Sequence, residues 1–242
     1  MRTGDKLNNF LVTSFDESYF IRFAVGWFGS LFDISNFNGT VIVINFGYNN
    51  KSIIEKLEKR GVNFIHMDNL SNKRYITYTK ISELQKEHVG NYLYYDFDGY
   101  FNSDINPLLE EHEEGKFIRS NNNNDGFVYG DNDCWNRFYD FQRFERFCNL
   151  KQSNDYFLLN DSDIKFVDNK WNYTEVTRIN KSTDISFMHY AGQVKRFLNT
   201  NVDYDFSFAK KYPELQAKWQ KEFEKKNLNL SRRLVRTKKP QT

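Results

Sequence analysis

The stretch Asn91-Tyr-Leu-Tyr-Tyr-Asp96-Phe-Asp98-Gly99-Tyr-Phe101 joins an aromatic, apolar run to two closely spaced carboxylates. Aromatic side chains are enriched in strands, so the run predicts a buried strand that ends at the acids. Gly99 follows the acids, and we expect the chain to turn there. Because side chains alternate faces along an extended segment, Asp96 and Asp98 should point the same way while Phe97 points into the packing.

Two carboxylates that lie close together repel each other unless a cation binds between them. Mg²⁺ and Mn²⁺ prefer oxygen ligands and keep coordination positions free for phosphate oxygens, so the pair predicts a divalent metal site. An Asp-x-Asp pattern is short, however, and acids are common after strands. The alternative interpretation is a solvated loop that happens to carry two acids.

The first hundred residues alternate strand patterns with helix patterns. Apolar runs predict strands at 10–15 and 40–46, and a third strand is predicted at 62–67, before the strand that ends at Asp96. Periodicity predicts helices at 19–34, 51–60 and 77–89. This alternation predicts an α/β fold with a mainly parallel sheet flanked by helices, whose ligands bind at the carboxyl ends of the strands. Asp16, Asp96 and Asp98 all fall at such ends. No glycine-rich phosphate-binding motif follows any strand, so a nucleotide bound here needs a metal to hold its phosphates.

The second half of the sequence has a less regular pattern. It predicts short helices at 104–112, 135–147 and 156–159 and short strands at 116–120, 126–129 and 164–167. We expect this half to shape the pocket for a variable substrate. An apolar run at 185–188 then leads to His189, Gly192 and Lys195. A histidine in this position is usually structural, but His189 could also bind a metal while Lys195 reaches a phosphate.

Composition narrows the class of protein. The chain has 242 residues, of which 18% are aromatic and three are Pro, and this predicts one folded globule. Cys134 and Cys148 are too few for a disulfide framework and lack metal-ligand spacing, so we expect reduced packing residues. The sequence starts without the apolar region of a secretory signal, and no run approaches the roughly 20 apolar residues of a membrane-spanning helix. We therefore expect a soluble, cytoplasmic protein.

The charge is distributed unevenly. Residues 210–242 contain eleven Lys and Arg against three Glu, whereas residues 1–209 are net acidic. We therefore divide the chain into a domain over 1–209 and a basic amphipathic helix and tail over 210–242. The aromatic residues of the tail allow two interpretations, namely a helix that lies on an anionic membrane surface or an ordinary helix docked on the domain. The acidic domain argues against a nucleic-acid partner.

Short motifs follow one another along residues 10–197. They are Thr13-Ser-Phe-Asp16-Glu-Ser-Tyr19, Thr79-Lys80, Tyr94-Tyr95-Asp96-Phe97-Asp98, Asn124-Asp125-Gly126-Phe-Val, Asp155-Tyr156-Phe-Leu-Leu-Asn160 and His189-Tyr-Ala-Gly192-Gln-Val-Lys195. Their order and spacing resemble those of the family 8 retaining glycosyltransferases, the group that includes glycogenin and the lipopolysaccharide galactosyltransferases. The resemblance implies a GT-A fold and a catalytic domain over 1–209. It also implies transfer of a sugar from a nucleotide sugar, expected to be a UDP-sugar, to a hydroxyl of a glycan or glycolipid, with retention of anomeric configuration.

The same resemblance implies roles for individual residues. It implies that Asp96, Asp98 and His189 bind Mn²⁺ or Mg²⁺. It places the following residues around the nucleotide-sugar donor: Thr13, Asp16, Tyr19, Lys80, Asp96, Asn124, Gly192 and Lys195. It places Asp125, Asp155 and Tyr156 near the donor sugar or the acceptor hydroxyl, and it gives Lys195 a catalytic role at the departing diphosphate.

The sequence departs from the family pattern at three points. Tyr156 stands where the family usually has Gln, Asp125 replaces a small residue, and Arg196-Phe197 follow Lys195 in place of Pro-Trp. Two other functions stay open, a metal-dependent phosphoesterase or nuclease and a non-catalytic relative that binds nucleotide sugar. A nuclease needs a basic groove to bind its anionic substrate, whereas this domain is net acidic. The presence of both acids with His189 and Lys195 argues against a relative that has lost its activity.

Overall fold

The computed structural model describes residues 8–68, 73–120, 126–137, 161–174 and 185–189, together with Lys221. Its first half follows the predicted alternation, with strands β1 (Asn8–Asp16), β2 (Thr40–Phe46), β3 (Val62–Met67) and β4 (Gly90–Tyr95) and helices α1 (Glu17–Asp33), α2 (Lys51–Glu58) and α3 (Lys73–Glu87). β1 pairs in parallel with both β2 and β4, and β2 pairs in parallel with β3. The prediction of a mainly parallel sheet flanked by helices is therefore confirmed.

The second half adds shorter elements. They are β5 (Gly99–Phe101), α4 (Asn106–Leu109), β6 (Phe117–Ser120), β7 (Phe127–Gly130), α5 (Asn132–Trp135), β8 (Ile164–Val167), β9 (Phe187–His189) and two 3₁₀ helices, Asp161–Asp163 and Asn169–Asn172. β7 runs antiparallel between β4 and β6, and β8 pairs in parallel with β6. The central sheet thus has the order β3-β2-β1-β4-β7-β6-β8, while β5 and β9 form a separate antiparallel pair.

Several predicted bounds were wrong. α3 begins at Lys73 rather than at 77, and α5 ends at Trp135, where a longer helix was predicted to start. β9 includes His189, which was expected to follow the strand. The rest of the predicted helix at 135–147 beyond residue 137, the helix at 156–159 and the C-terminal region other than Lys221 lie outside the described residues.

Two aromatic clusters cover the two faces of the sheet. Successive side chains of β4 alternate between them, with Leu93 and Tyr95 in the cluster under α1 and Tyr92 and Tyr94 in the cluster under α3. α1 is apolar because it is deeply buried, and Trp27 has no exposed surface. The sheet is therefore packed on both sides, which leaves the carboxyl ends of its parallel strands as the place for a ligand.

The helices of the described residues include none with the length and apolar character needed to cross a membrane.

Candidate active site

The segment that follows β4 is held rigidly in place. Phe97 is buried, as predicted, and its ring packs against those of Phe15 and Trp27 at centroid distances of 4.6 and 5.4 Å. The indole N–H of Trp27 donates to the carbonyl of Asp96 at 3.1 Å, and the Asp96 N–H donates to the carbonyl of Gly126 at 2.8 Å. The two acids are therefore presented by a backbone with little freedom to move.

Gly99 has a role other than the predicted turn. It is the first residue of β5, where it pairs in register with His189 of β9. A Cβ atom at position 99 would lie 2.4 Å from the carbonyl oxygen of Met188 and 2.5 Å from the Phe187 ring. Only a glycine allows this close approach of the two strands. The approach carries His189 to the acids.

The three side chains form a buried cluster. The Nε2 atom of His189 lies 3.3 Å from Asp96 Oδ2 and 3.2 Å from Asp98 Oδ1. One ligand atom from each residue falls within 4.8 Å of the others, and all three residues are buried. Two carboxylate oxygens and one imidazole nitrogen suit Mn²⁺ or Mg²⁺, with positions left for phosphate oxygens. The cluster therefore fits the predicted metal site and replaces the interpretation of a solvated loop.

Electrostatics in the cluster favours the charged forms. Burial alone would raise the pKa of Asp96, but the Arg74 guanidinium at 2.5 Å and the His189 ring hold that pKa well below its usual range. Burial alone would lower the pKa of His189, but the carboxylates of Asp98 and Asp96 outweigh burial and raise that pKa to about 9. In the metal-free protein at neutral pH the imidazole is therefore protonated and partly neutralises the two acids.

A cavity of about 260 Å³ opens beside the cluster, at the carboxyl ends of β1, β2 and β4. Its lining includes Asp16, Tyr19, Lys73, Arg74, Asp96 and Asp98. The position agrees with the rule that parallel sheets bind ligands at the carboxyl ends of their strands. The cavity is close to the lower end of the volumes of small-molecule sites, roughly 300 Å³.

The fold around this site matches solved structures of glycosyltransferases. The glycosyltransferase GlyE of Streptococcus pneumoniae TIGR4 aligns with a TM-score of 0.62 and 15% identity, over 92% of this chain and 64% of GlyE. The galactosyltransferase LgtC, solved with donor and acceptor sugar analogs, aligns with a TM-score of 0.58 and 14% identity, over 86% of this chain and 95% of LgtC. Mouse xyloside xylosyltransferase 1 aligns with a TM-score of 0.52 and 10% identity, over 76% of this chain and 97% of that enzyme.

The chain has the GT-A fold. At these identities the likeness establishes the fold alone, and the chain spans about 64% of the length of GlyE. No protein-family profile matches the sequence, and no curated protein matches it either.

Within the GT-A fold, Asp16 caps a helix as well as lining the cavity. It is the last residue of β1 and the N-cap of α1, and its Oδ1 accepts from the Tyr19 N–H at 3.0 Å and the Ser18 hydroxyl at 2.7 Å. Its Oδ2 pairs with Lys73. Burial acts to raise the pKa of Asp16, but Lys73 and the capping bonds lower it below the usual value. Asp16 is therefore a carboxylate with both oxygens engaged.

Among the residues that the structure describes, Lys73 and Arg74 are cations that line this cavity, and the sequence did not predict either of them. They lie in the first turn of α3, which was predicted to start only at residue 77. A polar pair, Ser71-Asn72, comes directly before them, and such residues are common N-caps, so this pair was the available signal for an earlier helix start. Because α3 starts earlier than predicted, Lys73 and Arg74 lie near the carboxyl ends of the strands and line the cavity there.

Two residues assigned to the donor lie elsewhere in the structure. Thr13 is fully buried, and its hydroxyl donates to the carbonyl of Tyr95 at 2.8 Å, which ties β1 to β4. Lys80 pairs with Glu83 on the surface of α3 at 2.5 Å. Neither residue lines the cavity. The remaining assigned residues lie outside the described parts of the chain: Asn124, Asp125, Asp155, Tyr156, Gly192 and Lys195.

Proposed function

We propose that the protein is a metal-dependent glycosyltransferase. In this proposal it moves a sugar from a nucleotide sugar, a UDP-sugar in our assignment, to a hydroxyl of a glycan or glycolipid, with retention of anomeric configuration. The observation that supports it most is the buried cluster of Asp96, Asp98 and His189 beside a cavity in a GT-A fold. The structure of LgtC, a structural neighbour, contains donor and acceptor sugar analogs.

The residues of the cluster would hold the cation at the edge of the cavity. A bound Mn²⁺ or Mg²⁺ supplies positive charge that neutralises the diphosphate as it leaves the sugar. Asp96 is oriented for this task by the hydroxyl of Tyr94, which donates to its Oδ1 at 2.5 Å. Because the leaving diphosphate is stabilised by charge, breaking the anomeric bond requires no strong protein acid.

Arg74 and Lys73 would add cations to the same leaving group. Both side chains line the cavity, and Arg74 already contacts a carboxylate of the cluster. In a partly buried site a guanidinium that faces a diphosphate stabilises the charge that develops on it. We therefore expect Arg74→Ala to lower kcat for the donor, and unchanged kinetics would remove Arg74 from the reaction.

The remaining assignments rest on the motifs alone. Asn124, Gly192 and Lys195 are proposed to contact the donor, with Lys195 assisting the diphosphate. Asp125, Asp155 and Tyr156 are proposed to lie near the reacting sugar or the acceptor hydroxyl. The retaining outcome comes from the same resemblance, and product stereochemistry determined by NMR tests it.

Hydrolysis of nucleotide sugars, measured over a panel of donors with Mn²⁺ or EDTA, tests the proposed function. We expect turnover with at least one UDP-sugar, and we expect EDTA to remove it. Asp98→Asn should abolish most turnover and leave the fold intact, since the change keeps the size of the side chain. Asp33→Asn is the matched control, because Asp33 pairs only loosely with Arg60 at 3.9 Å and lies at the end of α1 away from the cluster. Full turnover in EDTA would refute the metal-dependent mechanism.

A further inference from the structure

His189 can bind a metal through Nε2 only if the ring proton is on Nδ1. A neutral imidazole carries one N–H, and the nitrogen that carries it has no lone pair for a cation. The Nε2 atom is the one that faces Asp96 and Asp98, at 3.3 and 3.2 Å. To hold the proton on Nδ1, a hydrogen-bond acceptor is needed on the other side of the ring.

Asn172 lies at that position. Its Oδ1 atom is 3.0 Å from His189 Nδ1, and both residues are buried, with Asn172 fully so. The Nδ2 atom of Asn172 donates to the hydroxyl of Ser120 at 3.3 Å, which directs the amide oxygen toward the imidazole. Ser120 is itself buried at the end of β6.

The backbone around Asn172 keeps it beside the histidine. Tyr173 receives a hydrogen bond from the His189 N–H at 3.0 Å and donates its own N–H to the Phe187 carbonyl at 2.9 Å. The hydroxyl of Tyr95, the last residue of β4, donates to the carbonyl of Trp171 at 2.8 Å. The strand that leads to Asp96 therefore also anchors the segment that contains Asn172.

We infer that Asn172 is a positioning residue that fixes His189 in the tautomer able to bind the metal. The inference rests on the proposed function, because it concerns the metal site of that function. It goes beyond the three ligands, and sequence reasoning did not assign Asn172 any role. Ser120 completes the arrangement by holding the Asn172 amide in one orientation.

Titration with Mn²⁺ tests the inference without an activity assay. Asn172→Leu keeps the size of the side chain but removes the acceptor, and we expect Mn²⁺ affinity to fall by roughly 10- to 100-fold, as is usual when a partner of a metal-binding histidine is lost. Asn172→Asp keeps an acceptor on the same side of the ring and should bind Mn²⁺ close to the level of the wild type. Rescue by this variant would separate tautomer control from simple packing.

Asn45→Leu is the matched control. Asn45 is also fully buried, and its Nδ2 lies 3.1 Å from the Nδ1 atom of another histidine, His66. The substitution should therefore cost stability in the same way but leave Mn²⁺ affinity unchanged. A fall in Mn²⁺ affinity for Asn45→Leu equal to that for Asn172→Leu would overturn the inference.

The tautomer itself can be read in the wild type. Two-bond ¹H–¹⁵N correlation spectra of the protein saturated with Mg²⁺ distinguish an Nδ1–H from an Nε2–H imidazole, and His189→Gln assigns the signal among the four histidines of the chain. We expect Nδ1–H, and Nε2–H would overturn the inference even if Asn172→Leu failed to fold.

Equal Mn²⁺ affinity in the wild type and Asn172→Leu would refute only the role of Asn172. Absence of Mn²⁺ binding in the wild type would instead refute the metal site and the inference with it.

Discussion

His189 is a fully enclosed imidazole between two carboxylates, and its protonation links stability to pH. In the metal-free protein its pKa is raised to about 9, against about 6.5 in an unfolded chain. A histidine pKa that is higher in the folded than in the unfolded protein stabilises the fold, and this contribution is complete below the unfolded pKa. It is lost as the pH rises through the folded pKa. We therefore expect the metal-free protein to lose stability between about pH 6.5 and 9, by on the order of 3 kcal/mol.

Thermal and denaturant unfolding in EDTA over this pH range measures the effect. His189→Gln should lack the slope, since its side chain does not titrate. Mn²⁺ affinity of the wild type should rise over the same range, because the cation competes with the proton on Nε2. A histidine with the ordinary imidazole pKa of about 6.5 would place both changes near that pH instead. A stability that is flat from pH 6.5 to 9 would mean that the carboxylates do not raise the histidine's pKa.

The β5–β9 pair is the element that completes the cluster, and Gly99 is the position on which its spacing depends. A methyl group at Gly99 would collide with the Met188 carbonyl, so Gly99→Ala must move β9 away from β5. We expect a loss of stability of about 1–3 kcal/mol together with weaker Mn²⁺ binding, because His189 is drawn away from Asp98. Measured Mn²⁺ affinity and unfolding free energy for the variant check both effects.

Gly61→Ala provides the comparison for that substitution. Gly61 has a φ of 85°, which disfavours a side chain, yet a Cβ there would meet no atom within 4 Å. The substitution Gly61→Ala should therefore destabilise the protein through backbone strain, by about 1 kcal/mol, without changing the metal site. If Gly99→Ala also left Mn²⁺ affinity unchanged, the close approach of β5 and β9 would not be what delivers His189.

The protein as a whole is proposed to combine an acidic catalytic domain over 1–209 with a basic region over 210–242. In the membrane interpretation, Tyr212, Trp219 and Phe223 form the apolar face of a helix whose lysines and arginines attract anionic lipid. Deletion of 210–242 should then reduce binding to vesicles that contain phosphatidylserine and spare turnover of a soluble acceptor. Neutral phosphatidylcholine vesicles are the control. Insolubility or a marked loss of stability after deletion would instead favour a helix docked on the domain.

Local patterns in the sequence were sufficient for the regular half of the fold. The mainly apolar run 40–46 predicted β2 at its observed bounds, and the run before Asp96 predicted β4, because a strand covered on both faces is mainly apolar along its length. The predicted bounds of β3 were also correct, although β3 is an edge strand on which Asn63 and His66 are exposed. The placement of Asp16, Asp96 and Asp98 at strand ends followed from the same alternation, since parallel strands share one carboxyl edge. The strand bounds and the positions of the acids depend on residues that are adjacent in the sequence, so the sequence alone was sufficient to predict them.

Contacts between distant residues were decided only by the tertiary structure. His189 was assigned to the acids by resemblance, and the reason that it reaches them is the pairing of β9 with β5 across a glycine. Arg74 enters the cavity because α3 starts earlier than its periodicity indicated, and Asn172 meets His189 because two backbone segments are hydrogen-bonded side by side. No local pattern contains such information, since the free energy of these contacts arises from chain segments that are brought together only when the whole sheet forms.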